Sequence, residues 1–423
     1  MKEKILDLKY GKLHLLKTKK FRSITLKVLL SDVIKKEDIT KRNFLTDYLV
    51  LTTKKYSTRQ KLALKIQDLY SPYISGYNTR LGNYLITKFS LSLLNPKYTD
   101  IKMLEESIDL LSEMIFNPNQ KNNKFEKKSF NIIKNGILNE IKTIKESPKN
   151  YSTIRMFENM DASKPYAFRG YGYMEDLEKI TEENLYQYYK DFLKTCNVDI
   201  YVIGDFDDDE IIKLVKEKLN FKTIKKEKTS IYLNSDKVKK IKTIIEKEDF
   251  KQSKLSIGCK LLDLTEFERK YVINIYNMIL GGGFNSKFMQ EIREKNSLAY
   301  YINSNILKAD NILLIQSGIS SNNFKKVISS IKKIMKQMGS EVFEAELNDA
   351  KTEYISLLDE VYDNIDSILE NYIATNLLNL DSLEKRRENI EKISLDDIKN
   401  ISKKVKIDTI YLLEDGGEAN EEI

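Results

Sequence analysis

The pattern of apolar and polar positions switches repeatedly between a period of two and a period near 3.6, and each switch predicts an element. Residues 23–30 (SITLKVLL) and 253–261 (SKLSIGCKL) interleave apolar with small or polar residues and predict half-buried strands. After each, a helical pattern follows (41–51 and 265–280), and a second helix begins near Ser57 or Asn285. Two further strands are predicted in each half, PYISGYN with YLITKFSL in the first and LAYYINSN with NILLIQSG in the second. Then comes a pair of helices, 100–116 and 124–146 in one half, 323–338 and 344–378 in the other. In the last of these, Leu347, Tyr354, Leu358, Val361, Ile365, Leu369 and Tyr372 recur at threes, fours and sevens, the face of one long helix lying on a sheet.

The pattern repeats after roughly 210 residues, which is too regular for an accident of composition. LEKITEENL (177–185) and IEKISLDDI (390–398) each open an amphipathic helix, with Thr181 or Ser394 at the N-cap and acidic residues in the first turn. Each leads into a strand, VDIYVIGDF (198–206) or TIYLLED (409–415). The fold class expected is α+β, with two homologous domains, each a mixed and mostly antiparallel sheet with helices on one face. The divisions expected are 1–220, a lysine-rich linker at 221–240, a second domain at 241–415 and an acidic tail at 416–423.

Composition narrows the chemistry. At 423 residues and 41% hydrophobic, the chain can bury two cores, and 15 Gly and 5 Pro leave helices few breakers. No apolar run is long enough to span a bilayer and the first residues lack a signal-peptide core, so a cytoplasmic protein without membrane contact is expected. Net charge +8 is small for 71 Lys+Arg spread through every segment, with short runs only at 17–20 and 225–228. A nucleic-acid partner, which needs a concentrated basic face, is not expected. Cys196 and Cys259 lie apart in strand-like settings and read as reduced core thiols. His14, in the alternating stretch GKLHLLKTKK, is the single histidine, and no nucleophile–base pair can be built around it.

Residues 280–300, LGGGFNSKFMQEIREKNSLAY, carry the most specific signal. A glycine loop (Gly281, Gly282, Gly283), a helix, then Arg293 and Tyr300 seven residues apart, resemble the second-half signature of insulinase-type, pitrilysin-clan zinc peptidases. The resemblance covers nearly the whole chain and implies two homologous domains arranged as a clamshell. It also implies an inverted H-x-x-E-H zinc motif in the first half with a later Glu ligand. Here NFLTDYLVLTTKKYS stands at that place, so Asn43 and Asp47 replace the two His ligands and Thr46 the general-base Glu, while Glu140 falls near the third ligand. A catalytic zinc of this kind needs two imidazoles and a carboxylate, so no zinc and no other cofactor is expected in this chain. Asn43, Asp47 and Glu140 could still offer oxygen ligands to a hard cation, although helix surfaces carry such groups without binding metal.

The resemblance implies that Arg293 and Tyr300 act in trans: the phenol toward an oxyanion, the guanidinium toward substrate carbonyls or carboxylate. Gly281 to Gly283 would touch substrate. Ordinary structural roles compete, with Arg293 capping a helix, Tyr300 a plain strand aromatic, and the glycines forming a left-handed helix cap after Leu280. The function expected is a catalytically incomplete subunit that binds peptide and completes a zinc-bearing paralogue in a heterodimeric metallopeptidase. The alternative is a structural or peptide-binding protein of the same fold. KTKKF, ITKR and TKKYSTR resemble the bacterial YmfF-like branch, whose members accompany a zinc-bearing relative and are linked to elongation factor P modification.

Overall fold

The computed structural model describes residues 1–99, 102–223 and 229–416. The 225–228 lysine run and nearly all of the acidic tail therefore lie outside the described residues. The first half begins with strands β1 (Glu3–Leu8), β2 (Gly11–Lys17) and β3 (Ser23–Val33), then helices α1 (Lys36–Leu51) and α2 (Arg59–Asp68). Strands β4 (Tyr73–Leu81) and β5 (Tyr84–Leu94) lead to α3 (Met103–Phe116), a short hairpin of β6 (Gln120–Lys121) and β7 (Lys124–Phe125), and α4 (Lys127–Thr143). Helices α5 (Pro148–Asp161), α6 (Met174–Lys179) and α7 (Glu182–Thr195), strand β8 (Asn197–Gly204) and helix α8 (Asp208–Lys218) complete it.

The second half runs through β9 (Lys242–Glu248), β10 (Ser253–Leu261), the short α9 (Ile273–Asn277), β11 (Ala299–Leu307) and β12 (Ile312–Ile319). It closes with α10 (Phe324–Gln337), α11 (Glu344–Glu360), α12 (Ile365–Leu378), α13 (Leu383–Glu391), α14 (Leu395–Ser402) and β13 (Val405–Asp415).

The two sheets have the same wiring. In the first, the order is β1-β2-β8-β3-β5-β4, and in the second it is β11-β12-β10-β13-β9. β3 and β10 each sit between two antiparallel neighbours, and β2–β8 and β9–β13 are the parallel pairs. Thus β2, β8, β3, β5 and β4 correspond to β9, β13, β10, β12 and β11, with β1 as an extra edge strand. The repeat legible in the sequence is a repeat of topology. Thr181 and Ser394 both close capping boxes, each accepting the backbone N–H three residues on. Among the described residues no helix is long and apolar enough to cross a membrane.

Two compact units form, and they do not follow the chain halves. One holds residues 1–142, 169–230 and 365–373; the other holds 143–168, 231–364 and the chain from 374 onward. Each half gives a helix to the other half's sheet. The reason lies in the alternation of the central strands. Ile24, Leu26, Val28 and Leu30 of β3 face one hydrophobic core, and Leu255, Ile257, Cys259 and Leu261 of β10 face another. Their opposite faces are mostly small or polar, yet Thr25, Lys27 and Ser31 of β3 and Ser256 and Gly258 of β10 are buried there too, where half-burial was expected. On β10 the helix α5 closes that face: Ser152 and Ser256 share a 2.9 Å hydrogen bond, and a Cβ on Gly258 would lie 2.8 Å from Met156 Sδ. On β3 the start of α12 does the same, Glu370 accepting from Lys27 at 2.8 Å and from Lys88 of β5 at 2.6 Å.

This exchange also breaks the long helix expected over 344–378. Its apolar spacing is continuous, but a tight turn at Val361–Asp363 and extended Asn364 separate α11 from α12. In the first half, α4 ends at Thr143 and the break at 144–147 precedes α5, which the sequence reading did not foresee.

Candidate functional site

Helix α1 carries Asn43, Thr46 and Asp47, the positions that the resemblance sets against the zinc motif. The i, i+3, i+4 spacing puts Asn43, Thr46 and Asp47 on one face. Asn43 donates through Nδ2 to the Gly170 carbonyl at 2.6 Å and accepts from Asn78 Nδ2 at 2.9 Å. Asn78 Oδ1 in turn accepts from Thr87 at 2.6 Å and lies 3.1 Å from the Thr46 hydroxyl, which also lies 2.8 Å from the Arg42 carbonyl. Amides and hydroxyls satisfying one another thus occupy the ground where ligands would converge. Asp47 and Glu140 are close enough to interact: burial first, then repulsion from Glu140, pushes the Asp47 carboxyl up to about 6. Asp47 as a residue is nonetheless exposed, so solvent screens most of that cost. This donor set does not fit zinc. Among the described residues no group of three or more His, Cys, Asp or Glu is placed to hold a metal ion.

Beside this face Arg42 is fully buried, its Nη2 bonding both Asp32 oxygens at 2.9 and 3.0 Å and its guanidinium stacked 3.5 Å from the Phe192 ring centroid. It pins α1 to β3 and α7. Neither Arg42 nor Asn78 stood out in the sequence; an Arg inside an apolar helix face was the available signal. His14 is far from nucleophilic duty. It is buried on β2, stacked on Tyr201 at 4.1 Å, with Glu3 at 2.8 Å and Asp199 at 3.9 Å. Burial works against its charge, but the two carboxylates win and its pKa is raised. Both cysteines are buried free thiols.

In the second unit, Arg293 and Tyr300 line one open depression of about 460 Å³ with Glu294, Ser297, Ser320 and Asn323. Two backbone irregularities bring them there. The helix over Met289–Glu294 is wound as a π-turn, with Lys295 N–H reaching back five residues to the Gln290 carbonyl. Tyr300 is the extra residue of a bulge: Ala299 pairs with Ile319 and Tyr301 with Gly318, so Tyr300 has no opposite number. The bulge turns its side chain outward, 64% exposed. The Arg293 guanidinium meets the Met289 sulfur at 3.4 Å and Glu294 at 3.7 Å and bonds no backbone carbonyl among the described residues, so it does not cap its helix.

The glycine loop corrects one expectation. None of Gly281, Gly282 and Gly283 has a positive φ, so they do not form a left-handed cap. Crowding explains them instead. A Cβ on Gly281 would lie 2.5 Å from the Phe288 ring, and on Gly283 2.7 Å from the Met278 carbonyl, which accepts the Gly283 N–H across five residues. Gly282 is exposed, and beside the loop Phe284 is 80% exposed.

Residues 179–354 match the family described as "Peptidase M16 inactive domain". A Bacillus subtilis protein called "Probable inactive metalloprotease YmfF" is 29% identical over 411 residues, 95% of each chain. The chain is thus similar to proteins of the insulinase-type, or M16, peptidase family over nearly its whole length. The Helicobacter pylori "Non-peptidase homolog YmxG" is 28% identical over 255 residues, 58% of this chain and 56% of that one. A conserved Enterococcus faecalis protein of solved structure is similar over 99% of this chain and 100% of its own, with a TM-score of 0.91 and 25% identity. The YmfF-like resemblance and the non-catalytic character of the chain agree with these relatives.

Proposed function

We propose that this chain is the catalytically silent half of a two-chain insulinase-like peptidase, binding peptide and presenting Arg293 and Tyr300 to a zinc-bearing paralogue. The paralogue supplies metal and general base. One observation carries the reading: a π-turn and a β-bulge, seven residues apart, aim a guanidinium and a phenol into the same open depression. Regular backbone would be cheaper for a mere scaffold, and the bond of the Arg293 guanidinium to the Met289 sulfur stays within its own helix. In that role the Tyr300 hydroxyl donates to the oxyanion formed on peptide attack, and the Arg293 fork holds a substrate carbonyl or carboxylate. Gly281 and Gly283 are buried, so peptide contact at the loop falls to Gly282 and Phe284. Two buried free thiols suit a reducing, cytoplasmic setting.

The hydrogen-bonded filling of the old metal ground favours a second reading, a structural or peptide-binding protein that has left peptidase chemistry. Co-expression with the zinc-bearing paralogue separates the two. The proposal expects co-elution on size exclusion, with one zinc per heterodimer and none in this chain alone after washing with chelator. A chain that never co-elutes supports the structural reading.

A further inference from the structure

The second unit carries a recess that none of the peptidase reasoning uses. It measures about 840 Å³. Its floor is apolar, built from Val238 and Ile241 ahead of β9, Leu262 after β10, Met335 of α10, and Val405 and Ile407 at the start of β13. Its wall carries Lys237, Lys332, Lys336, Lys403 and Lys406, all exposed. Helix C-termini account for two of them, Lys336 in the last turn of α10 and Lys403 at the C-cap of α14. None of these lysines forms an ion pair with a described residue. The nearest thing to a partner is Asn400, 3.3 Å from Lys403 Nζ. Elsewhere on the molecule, lysines such as Lys27, Lys88, Lys218, Lys270 and Lys404 do have carboxylate partners.

We infer that this recess docks an acidic segment of a partner protein through an apolar anchor side chain, its carboxylates meeting the lysine ring. The charge fixes the sign of the partner, and the floor fixes its anchor. No aromatic residue or arginine lines the recess, so it lacks the stacking platform that single-stranded nucleic acid uses. Apart from Ile241, 39% exposed, the floor groups are half-buried or buried, so they offer a lipid surface less area than an amphipathic face does. An acidic peptide with a Leu or Phe in its middle satisfies both parts at once. The ring steers it electrostatically, and the buried anchor gives the affinity. This surface is separate from Arg293 and Tyr300, so its failure would leave the peptidase proposal untouched.

The test uses the full chain and a fluorescein-labelled dodecapeptide of Glu and Asp around a central Leu-Phe pair, read by anisotropy. Binding is expected to weaken about tenfold in the K332E/K336E/K406E variant and about tenfold with the Leu-Phe pair replaced by Ala-Ala. It should also weaken as salt rises. All three lysines are exposed, so the variant should fold, which its circular dichroism and peptide-independent melting check. I241S, which removes only floor area at an exposed position, should weaken the peptide without altering its salt dependence. Equal binding of the Ala-Ala peptide would overturn the inference in favour of unspecific charge attraction. Tighter binding of a dodecanucleotide or of phosphatidylserine vesicles, or no loss in the triple variant, would overturn it as well.

Discussion

Glu370→Ala tests whether the exchanged helix is held by the contacts that define it. Lys27 and Lys88 are buried on the polar face of the first sheet, their side chains 6% and 9% exposed, and both donate to Glu370. Removing one partner of a buried charge pair costs about 3–5 kcal/mol, because the remaining charge loses its compensation. Two features lower that figure here. Glu370 is 39% exposed, and Asp366 stays 3.1 Å from Lys27. We therefore expect a loss of about 2 kcal/mol, which is roughly thirtyfold in a local opening equilibrium. Amide hydrogen exchange across residues 365–373 reads this opening directly, with the β3 core amides as the internal control. The pH dependence follows from the shifts. Burial opposes the Glu370 charge, yet Lys27 and Lys88 hold its pKa below the usual value. Its stabilisation is thus present above the ordinary carboxylate range and fades as pH falls through the lowered value. The Lys27 pKa is raised, against its burial, by Glu370 and Asp366, so its share fades only as pH rises through that raised value. Exchange at 365–373 within threefold of the parent protein would refute the reasoning.

Asp47→Asn should stabilise the protein by about 1 kcal/mol at pH 7.5 after discounting for exposure, since ionising a carboxyl held up to about 6 costs stability. The gain should shrink as pH falls and be absent below the ordinary Asp range, as urea midpoints at several pH values would reveal. His14→Gln should destabilise more at pH 6 than at pH 9. The raised His14 pKa means its stabilisation is complete below the unfolded value and lost as pH rises through the folded one. Thermal melts of both chains across that range check the sign.

Much of the fold was legible because period and caps speak locally. The strands expected at 23–30, 253–261 and 409–415 are strand throughout, the one expected at 198–206 ends at Gly204, and the capping boxes at Thr181 and Ser394 mark their helices. What the sequence hid was partnership. Nothing in the spacing of Leu347 to Tyr372 says that the helix turns at 361–364 to place Glu370 on another half's sheet. The lysines at 27 and 88, inside otherwise apolar strands, were the clue, because a buried Lys needs a partner and theirs is Glu370 of α12. The site shows the same division. Arg293 and Tyr300 were singled out by the resemblance of residues 280–300 to the insulinase-type signature, whereas the π-turn and bulge at these positions are backbone events without a composition signal. The glycines were seen, but their cause was crowding against Phe288 and Met278 and not a left-handed turn.

Turnover of a model peptide by the complex proposed between this chain and a zinc-bearing paralogue, comparing Tyr300→Phe with the parent, tests the central claim most directly. The substitution removes one exposed hydroxyl and keeps the ring at the bulge, so assembly and melting should be unchanged. Loss of one oxyanion donor lowers kcat by about 10²–10³. The account predicts a fall of that size with the heterodimer intact; full turnover by an assembled Tyr300→Phe complex would contradict it.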